Sequence, residues 1–364
     1  MQEQMRLNRE ANKNHKTKSF GEDHADMRPE VTLSQISMLG AHDAGTHWFS
    51  RKKAEGIDSL GTLFPGGFKC QSLSLVEQAR AGVRYFDIRV KKGRAGKFSF
   101  FHGPSKTGGD ALAEVMDLFN YAVNDKDNLY IFKMHFDKRD AEDFLCGFVN
   151  EYIGHLIYDC AGGNNGTEDS GGEEGDNEKE GDNIKEGDNG ERGKEGNNGK
   201  GEKPLGSFTV GETLGCGKNI LIMVNHAEKS FNDSIVSKYV WDYKGSAYSK
   251  WADKASGKKT AKHILKFHGK PEFEDKKISI IQSNMPLRIL PVPKSVKNLA
   301  RDDHNKVIKA INEIYETKKR LGIVSIDYAG KENISSTNKI KNLIRMANEP
   351  LMKTACSQLE GSAG

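Results

Sequence analysis

Few cysteines and no long apolar run characterise this 364-residue sequence, and each absence excludes a class of protein. The five cysteines are odd in number and form no CxxC pair, which argues against a disulfide framework and a zinc knuckle. No stretch of about 18 consecutive apolar residues is present, so no segment is long enough to span a membrane. The first 20 residues contain no apolar core of the kind a secretory signal needs. We therefore expect a cytoplasmic chain with reduced thiols, no signal peptide and no transmembrane segment.

Motifs of three common enzyme classes are also missing. The sequence contains no GxSxG nucleophile elbow, no HExxH zinc motif and no Walker A loop. Its chemistry must therefore rest on other side chains.

Residues 162–203 differ in composition from the rest of the chain. They contain 13 acidic and six basic residues, 13 glycines, one apolar side chain (Ile184) and an EGDN repeat at six-residue spacing. Such a segment cannot bury enough apolar surface to offset its conformational entropy, so we expect it to be disordered. Without it, the net charge of the chain changes from +4 to about +11, which suits a protein that works on an anionic partner.

This composition divides the chain into five parts. We predict a flexible N-terminal arm over 1–30, two parts of one catalytic domain at 31–161 and 204–350, the disordered insert at 162–203 between them, and a flexible tail at 351–364.

Short apolar runs alternate with helical periodicity on both sides of the insert. The runs at 36–40, 83–90, 97–101, 129–136, 219–225, 277–283 and 322–329 indicate strands. The stretches at 73–82, 110–123, 141–158, 300–320 and 337–348 have helical spacing. This alternation predicts an α/β fold with a parallel sheet, either a barrel or a doubly wound sheet.

Ionisable residues lie in or just after five of these strands. They are His42 and Asp43, Asp87 and Arg89, His102, Lys133, and Asp327. Each alone has an ordinary explanation as a loop residue or ion-pair partner. In a parallel barrel, however, the carboxyl ends of the strands converge on the active site, so we expect these side chains to share a polar pocket.

The strand VRYFDIRV places Asp87 and Arg89 on the same face as Tyr85. If that face points into a barrel, both charges are buried and must be paired or hold a ligand, because an unpaired buried charge is costly. A self-contained ion pair is the alternative.

These residue types favour phosphodiester cleavage without a metal. Two histidines can serve as general base and general acid. An arginine can hold a phosphate with two hydrogen bonds and stabilise charge that develops on it.

The sequence also resembles a known family. ISMLGAHDAGTH, CQSLSLVEQARAGVRYFDIRV, FFHGP and LYIFKMHF are similar, in order and spacing, to the catalytic (X-type) domain of phosphatidylinositol-specific phospholipases C. GIVSIDYAGKENISSTNKIKNLIRMAN resembles the last strand and helix of the single-domain bacterial enzymes. GAHDAGTH followed by CQSLS is also similar to the glycosylphosphatidylinositol-cleaving phospholipase C of trypanosomatids. The resemblance implies a single-domain α/β fold, a distorted (β/α)8 TIM-type barrel.

The resemblance implies a role for each pocket residue. His42 would be the general base on the inositol 2-hydroxyl, oriented by Asp327, and His102, assisted by Asp43, would protonate the diacylglycerol oxygen. Arg89 would bind the phosphate beside Asp87, and Lys133 would contact inositol or phosphate. Asp242 and Tyr243, from a weakly similar stretch, would bind the headgroup.

The resemblance also bears on cofactors. Calcium-dependent relatives place oxygen ligands where this chain has Arg89 and Lys133, and two cations there argue against bound calcium. We therefore expect no metal and no other cofactor. The products would be diacylglycerol and inositol 1,2-cyclic phosphate.

The expected partner is phosphatidylinositol, plain or glycosylated, at a membrane surface that a monomer touches peripherally. The loop at 47–70 carries Trp48, Phe49, Leu63, Phe64 and Phe68, which form either an interfacial rim or a loop folded onto the barrel. Residues 244–297 contain 13 Lys or Arg against four acidic residues, which would favour anionic lipid. A catalytically silent phosphoinositide-binding module is an alternative. A nucleic-acid-binding protein is less favoured, because no aromatic-interleaved basic motif supports it, and we expect no nucleic acid.

Overall fold

The computed structural model describes residues 23–49, 65–93, 96–137, 140–158, 203–225, 235–270, 276–286 and 295–353. The chain up to Tyr158 and the chain from Pro204 form one compact unit. Within the described residues the strands are β1 Met38–Ala41, β2 Val83–Lys92, β3 Phe98–His102, β4 Ser105–Lys106, β5 Tyr130–Phe136, β6 Ile220–Val224, β7 Trp241–Asp242, β8 Ala247–Ser249, β9 Ile278–Gln282 and β10 Ile323–Ile326. The α-helices are Pro65–Phe68, Leu75–Arg80, Ala111–Asn124, Ala141–Cys146, Val149–Tyr152, Tyr243–Ser246, Gly257–His268, Val296–Asp302, His304–Lys318 and Ile334–Asn348.

Eight of the described strands form a curled parallel sheet in the order β7-β6-β5-β2-β1-β10-β9-β8. The two end strands, β7 and β8, are joined by the four-residue helix Tyr243–Ser246. Such a helix spans only about 6 Å at 1.5 Å per residue, so the two edges of the sheet come back together. The sheet is a distorted parallel barrel of TIM type, which confirms the predicted fold class. β3 and β4 extend β2 as antiparallel strands.

The alternation of side chains along each strand separates two apolar layers. Phe86, Ile88 and Val90 of β2 face outward and pack with the helices. Tyr85 faces inward with Ile131 and packs in the second cluster. The predicted division of β2 into two faces is confirmed.

Loops close the end of the barrel where the strands begin. Apolar residues before β1 and around 205–210 join the inner cluster there. An antiparallel bridge links Thr32 to Thr209 across this end. The carboxyl ends of the strands therefore form the other, functional end.

The described residues of the predicted arm and tail are packed against the rest of the chain. His24 and Met27 are buried, and Met27 forms an antiparallel bridge with Met352. Lys353 donates its backbone N–H to Asp26. The arm predicted over 1–30 is thus packed from residue 23, and the tail predicted from 351 is packed through 353, because each covers apolar surface of the other. Residues 1–22, 159–202 and 354–364, which include all of the predicted insert except Lys203, lie outside the described residues.

Local side-chain caps begin several of the helices. Ser74 and Glu77 form a reciprocal capping box at the helix Leu75–Arg80. Asp110 accepts hydrogen bonds from Leu112 and Ala113 at the start of the next helix. The helix predicted over 300–320 is two helices, Val296–Asp302 and His304–Lys318. The helix predicted over 141–158 is Ala141–Cys146, Val149–Tyr152 and a short 3₁₀ turn.

Candidate active site

The ionisable residues that follow the barrel strands lie together at the functional end. His42 and Asp43 follow β1, Asp87 and Arg89 are in β2, Lys133 is in β5 and Asp327 follows β10. His102 ends β3, which leaves the barrel and turns over this end. The structure thus brings together all seven strand-end residues that the sequence singled out.

The His42 imidazole is held by Asp327. Its Nδ1 lies 2.8 Å from Asp327 Oδ1, and both side chains are buried. A carboxylate beside Nδ1 fixes the proton there and leaves the Nε2 lone pair pointing into the pocket. Burial lowers the pKa of His42, but Asp43 and Asp327 outweigh it, so the pKa lies above its ordinary value. His42 is therefore built to take a proton at Nε2.

Asp43 is the centre of the pocket. Its backbone is left-handed, with φ 43°, and leads into the 3₁₀ helix Ala44–Trp48. This turn aims its side chain between the two histidines: Oδ2 lies 3.5 Å from His42 Nε2 and 3.4 Å from His102 Nδ1. The two imidazole rings are 6.2 Å apart. A Cβ at the neighbouring Gly45 would lie 2.2 Å from the Phe100 ring, so only glycine fits this turn.

Arg89 and Lys133 neutralise the buried carboxylates. Arg89 Nε pairs with Asp43, and Arg89 Nη2 lies 3.2 Å from Asp87 Oδ2 and 3.1 Å from His42 Nε2. Lys133 Nζ lies 2.7 Å from the other oxygen of Asp87. Burial opposes ionisation of Asp87, but Lys133 and Arg89 outweigh it and hold its pKa well below the usual range. The alternating chain Asp43, Arg89, Asp87 and Lys133 is therefore more than the two-residue ion pair considered from sequence.

His102 takes its position from backbone and aromatic neighbours. Its Nδ1 lies 2.7 Å from the carbonyl oxygen of Phe68, a distance that requires a proton on that nitrogen. The Phe68 ring packs edge-on against it at 5.8 Å. The other ring nitrogen, Nε2, is left for a ligand.

The two weakly aligned headgroup candidates differ in their placement. Tyr243 lies beside the pocket, with Lys133 Nζ 5.3 Å from the centre of its ring. Asp242 accepts the backbone N–H of Gly245 at 2.6 Å and caps the short helix between β7 and β8. The structure thus gives Asp242 a local structural contact at the point where the sheet closes.

Three residues near the pocket were not identified from the sequence. Gln71 Nε2 donates to the carbonyls of His42 and Ile326, and Thr46 Oγ1 accepts the backbone N–H of Gln71. Cys70 Sγ lies 3.6 Å from His102 Nδ1 and 3.9 Å from Asp43 Oδ2. Burial, Asp327 and Asp43 raise the pKa of its thiol well above the ordinary value. None of the three comes directly after a strand, so the search of strand ends did not find them. Cys70 and Gln71 do belong to CQSLS, which is part of the family resemblance.

The predicted aromatic rim is only partly described. Phe49 is 2% exposed, and Trp48 donates its Nε1 to Glu114 at 2.5 Å. For these two residues the loop is folded onto the barrel. Leu63 and Phe64 lie outside the described residues.

The barrel and its pocket have the arrangement of TIM-type barrel active sites, where side chains from several strand ends meet. No protein-family model matches the chain, and no curated protein matches its sequence. Solved structures do match its fold. Phosphatidylinositol-specific phospholipase C from Listeria monocytogenes is 18% identical, with a TM-score of 0.58, over 89% of this chain and 97% of that enzyme.

The phosphatidylinositol-specific phospholipase C of Staphylococcus aureus is 16% identical, with a TM-score of 0.54, over 90% of this chain and 97% of that protein. At identities this low, the structural match shows a shared fold. The chain has the fold of bacterial phosphatidylinositol-specific phospholipases C, and the resemblance found in the sequence is confirmed at that level. Within the described residues, no helix is both long and apolar enough to cross a bilayer.

Proposed function

We propose that this protein is a phosphatidylinositol-specific phospholipase C that cleaves its substrate to diacylglycerol and inositol 1,2-cyclic phosphate. The observation that carries this proposal is the pair His42 and His102 on either side of Asp43, with Arg89 between the carboxylates. The fold match to bacterial enzymes of this activity supports it.

In the proposed reaction each residue has one step. His42 Nε2, with Asp327 holding the other nitrogen at 2.8 Å, accepts the proton of the inositol 2-hydroxyl. The resulting oxygen attacks phosphorus, and Arg89 stabilises the charge that develops on the phosphate oxygens. His102, with Asp43 Oδ2 at 3.4 Å, gives a proton to the departing diacylglycerol oxygen.

The same pocket supports catalysis without a metal. The carboxylates of Asp43 and Asp87 are already paired with Arg89 and Lys133. These two cations supply the positive charge that calcium would otherwise bring to the phosphate. Phosphate binding therefore needs no divalent ion in this scheme.

A membrane contact is part of the proposal. Trp251, just beyond β8 at the functional end, is 41% exposed. The exposed Lys250 and Lys254 flank it. An indole beside lysines suits the headgroup region of an anionic bilayer.

Turnover on phosphatidylinositol vesicles tests the proposal. We expect diacylglycerol and inositol 1,2-cyclic phosphate from the full chain, undiminished by EGTA. His42→Ala and His102→Ala should each lower turnover by about 10²-fold or more, as loss of a general acid or base does. His155→Ala, at the closed end of the barrel, is the matched control and should keep turnover.

Two results would contradict the proposal. Lipid binding without turnover by the unmodified chain would indicate the silent module instead. Loss of activity in EGTA would show that a divalent cation is required.

A further inference from the structure

Beside the two histidines, the pocket contains a set of metal-ligating atoms that the proposed reaction does not use together. His42, Asp43 and Cys70 each present a donor atom, and these atoms all lie within 4.8 Å of one another. All three residues are buried. The Cys70 thiol also lies 3.8 Å from the Phe68 carbonyl oxygen, and the proposed reaction gives this thiol no role.

The spacings match those of a tetrahedral zinc ion. With Zn–N and Zn–O bonds near 2.1 Å and Zn–S near 2.3 Å, ligand atoms lie about 3.4 Å apart for nitrogen and oxygen and about 3.6 Å when one is sulfur. Here His42 Nε2 is 3.5 Å from Asp43 Oδ2, and Cys70 Sγ is 3.9 Å from the same oxygen. The third pair, His42 Nε2 and Cys70 Sγ, lies within 4.8 Å, so the ligands close around an ion by side-chain adjustment.

The surrounding hydrogen bonds suit a metal ligand. A zinc-binding histidine usually donates its second ring nitrogen to a carboxylate, which orients the ring. Asp327 holds His42 Nδ1 in this way at 2.8 Å. A thiol, an imidazole and a single carboxylate favour zinc over calcium or magnesium, which prefer all-oxygen sites.

We propose that the pocket binds one Zn²⁺ through His42 Nε2, Asp43 Oδ2 and Cys70 Sγ, and that this ion inhibits the enzyme. On binding, the Cys70 S–H bond breaks, a Zn–S bond forms and the proton passes to solvent. The fourth position is left for water. Inhibition rests on the proposed function, because zinc occupies the lone pair that His42 would use as base, whereas zinc binding itself does not.

Two neighbouring residues define the limits of the site. His102 is outside the ligand set, because its Nδ1 lies 2.7 Å from the Phe68 carbonyl and carries a proton. Arg89 competes with the metal, since its Nη2 lies 3.1 Å from His42 Nε2 and its Nε pairs with Asp43. The Arg89 side chain is 25% exposed, so it can turn toward the pocket opening when zinc enters.

Cobalt binding to the full chain tests the ligand set. Co²⁺ should bind with a thiolate-to-cobalt charge-transfer absorption that Zn²⁺ abolishes. Cys70→Ala should remove this absorption and weaken binding by more than about 100-fold, since loss of an outer-shell partner alone costs 10–100-fold. His102→Ala should keep the absorption, and Arg89→Gln should tighten binding. A double variant of the exposed Cys146 and Cys216 to alanine is the matched thiol control and should bind like the unmodified chain.

Turnover measured in parallel tests the consequence. Zn²⁺ should inhibit the unmodified chain, and Cys70→Ala should lose most of this sensitivity when the rate of each chain with zinc is divided by its own rate without zinc. Charge-transfer absorption that survives in Cys70→Ala, or that is absent from the unmodified chain, would overturn the site. If no phosphoinositide is turned over, the proposed function fails, and the cobalt measurement still decides whether the site exists.

Discussion

The carboxylate of Asp327 sets both the proton position and the basicity of His42. It accepts from Nδ1 at 2.8 Å, and together with Asp43 it raises the pKa of the imidazole against the opposing effect of burial. In the proposed reaction His42 acts as a base only when it is neutral, so activity should rise as the pH increases through this raised pKa. The acid limb of the pH profile therefore reports on the pair.

Replacing Asp327 by Asn should change the rate and shift the pH profile. Loss of the charge lowers the pKa of His42, so the acid limb of kcat/KM should move to lower pH. The rate at the optimum should fall by roughly 10²–10⁴-fold, because the imidazolium that forms during catalysis loses its counter-charge. A pH series of initial rates measures both effects.

The control for this variant is Asp253→Asn, which removes the same charge from the exposed surface. It should leave the profile where it is. An acid limb that stays in place in Asp327→Asn would mean that another group controls it.

At this scale, strand ends were the informative signal. His42, Asp87 and Lys133 were predicted correctly to share a pocket because parallel strands deliver their carboxyl ends to one place. Cys70 and Gln71 could not be found in this way, because they lie between the helices Pro65–Phe68 and Leu75–Arg80 and not at the end of a strand. Asp242 is the second residue of a two-residue strand, which is too short to produce a pattern.

Among the connecting elements, the segment before the helix Leu75–Arg80 fastens the ends of β1 and β10. Gln71 is fully buried; its Nε2 donates to the carbonyls of His42 and Ile326, and its Oε1 accepts the N–H of Ala329. One side chain thus ties together the loops that carry the base and its partner carboxylate.

Truncating Gln71 should therefore affect both stability and rate. Gln71→Ala leaves the Ala329 N–H and the His42 carbonyl without this partner. It should lower the free energy of unfolding by roughly 2–4 kcal/mol, because each unsatisfied buried group costs about 1–3 kcal/mol. Turnover should fall as the distance between His42 and Asp327 becomes variable. Urea unfolding and initial rates measure the two effects.

Gln35→Ala is the matched control, because Gln35 makes a local bond to Thr32 at the closed end of the barrel. It should keep normal turnover. Equal losses of turnover in both variants would show that Gln71 acts through general stability alone.

Elements with strong periodicity were predicted close to their true bounds. The final helix, predicted over 337–348, is Ile334–Asn348, and the strand predicted over 129–136 is Tyr130–Phe136. No element was predicted between 226 and 276. There the strands β7 and β8 are too short to give a period. The helix Gly257–His268 has its few apolar side chains on one face among many lysines, and its low overall hydrophobicity hid this pattern.

For the molecule as a whole, sequence reasoning gave an α/β fold, and the family resemblance was needed to choose the barrel. Closure depends on the short connection between β7 and β8, which brings the two edge strands of the sheet close together in space. A pattern of apolar residues does not reveal this. Residues 23–30 and 351–353, which the sequence assigned to the arm and the tail, are packed because Met27 and Met352 pair across more than 300 residues. A pattern within a short window cannot contain such a contact.

The proposed membrane contact belongs to this scale too, because it joins an aromatic side chain to the charge of a whole surface. Trp251→Ala should reduce binding to phosphatidylinositol vesicles and turnover on them. Hydrolysis of a water-soluble inositol phosphodiester should be unchanged. Vesicle sedimentation at rising salt measures the binding, which should weaken as the lysine contribution is screened.

Trp241→Phe is a control for loss of an indole, because Trp241 is half-buried and its Nε1 donates a hydrogen bond to the Ile157 carbonyl oxygen. It should bind vesicles normally. If Trp251→Ala binds like the unmodified chain, the contact lies elsewhere on this end of the barrel.

Asp43, Arg89, Asp87 and Lys133 form a chain of alternating charges, so an anion that binds Arg89 must replace a carboxylate that is already there. Arg89 already has two carboxylate partners, Asp43 and Asp87, and Lys133 pairs with Asp87 as well, so the charges of these four residues cancel. In the proposed reaction, a phosphodiester enters by taking the place of a carboxylate oxygen on Arg89, and the same oxygen returns when the product leaves. Substrate affinity is then set by the difference between two counter-ions, which favours rapid release over tight retention.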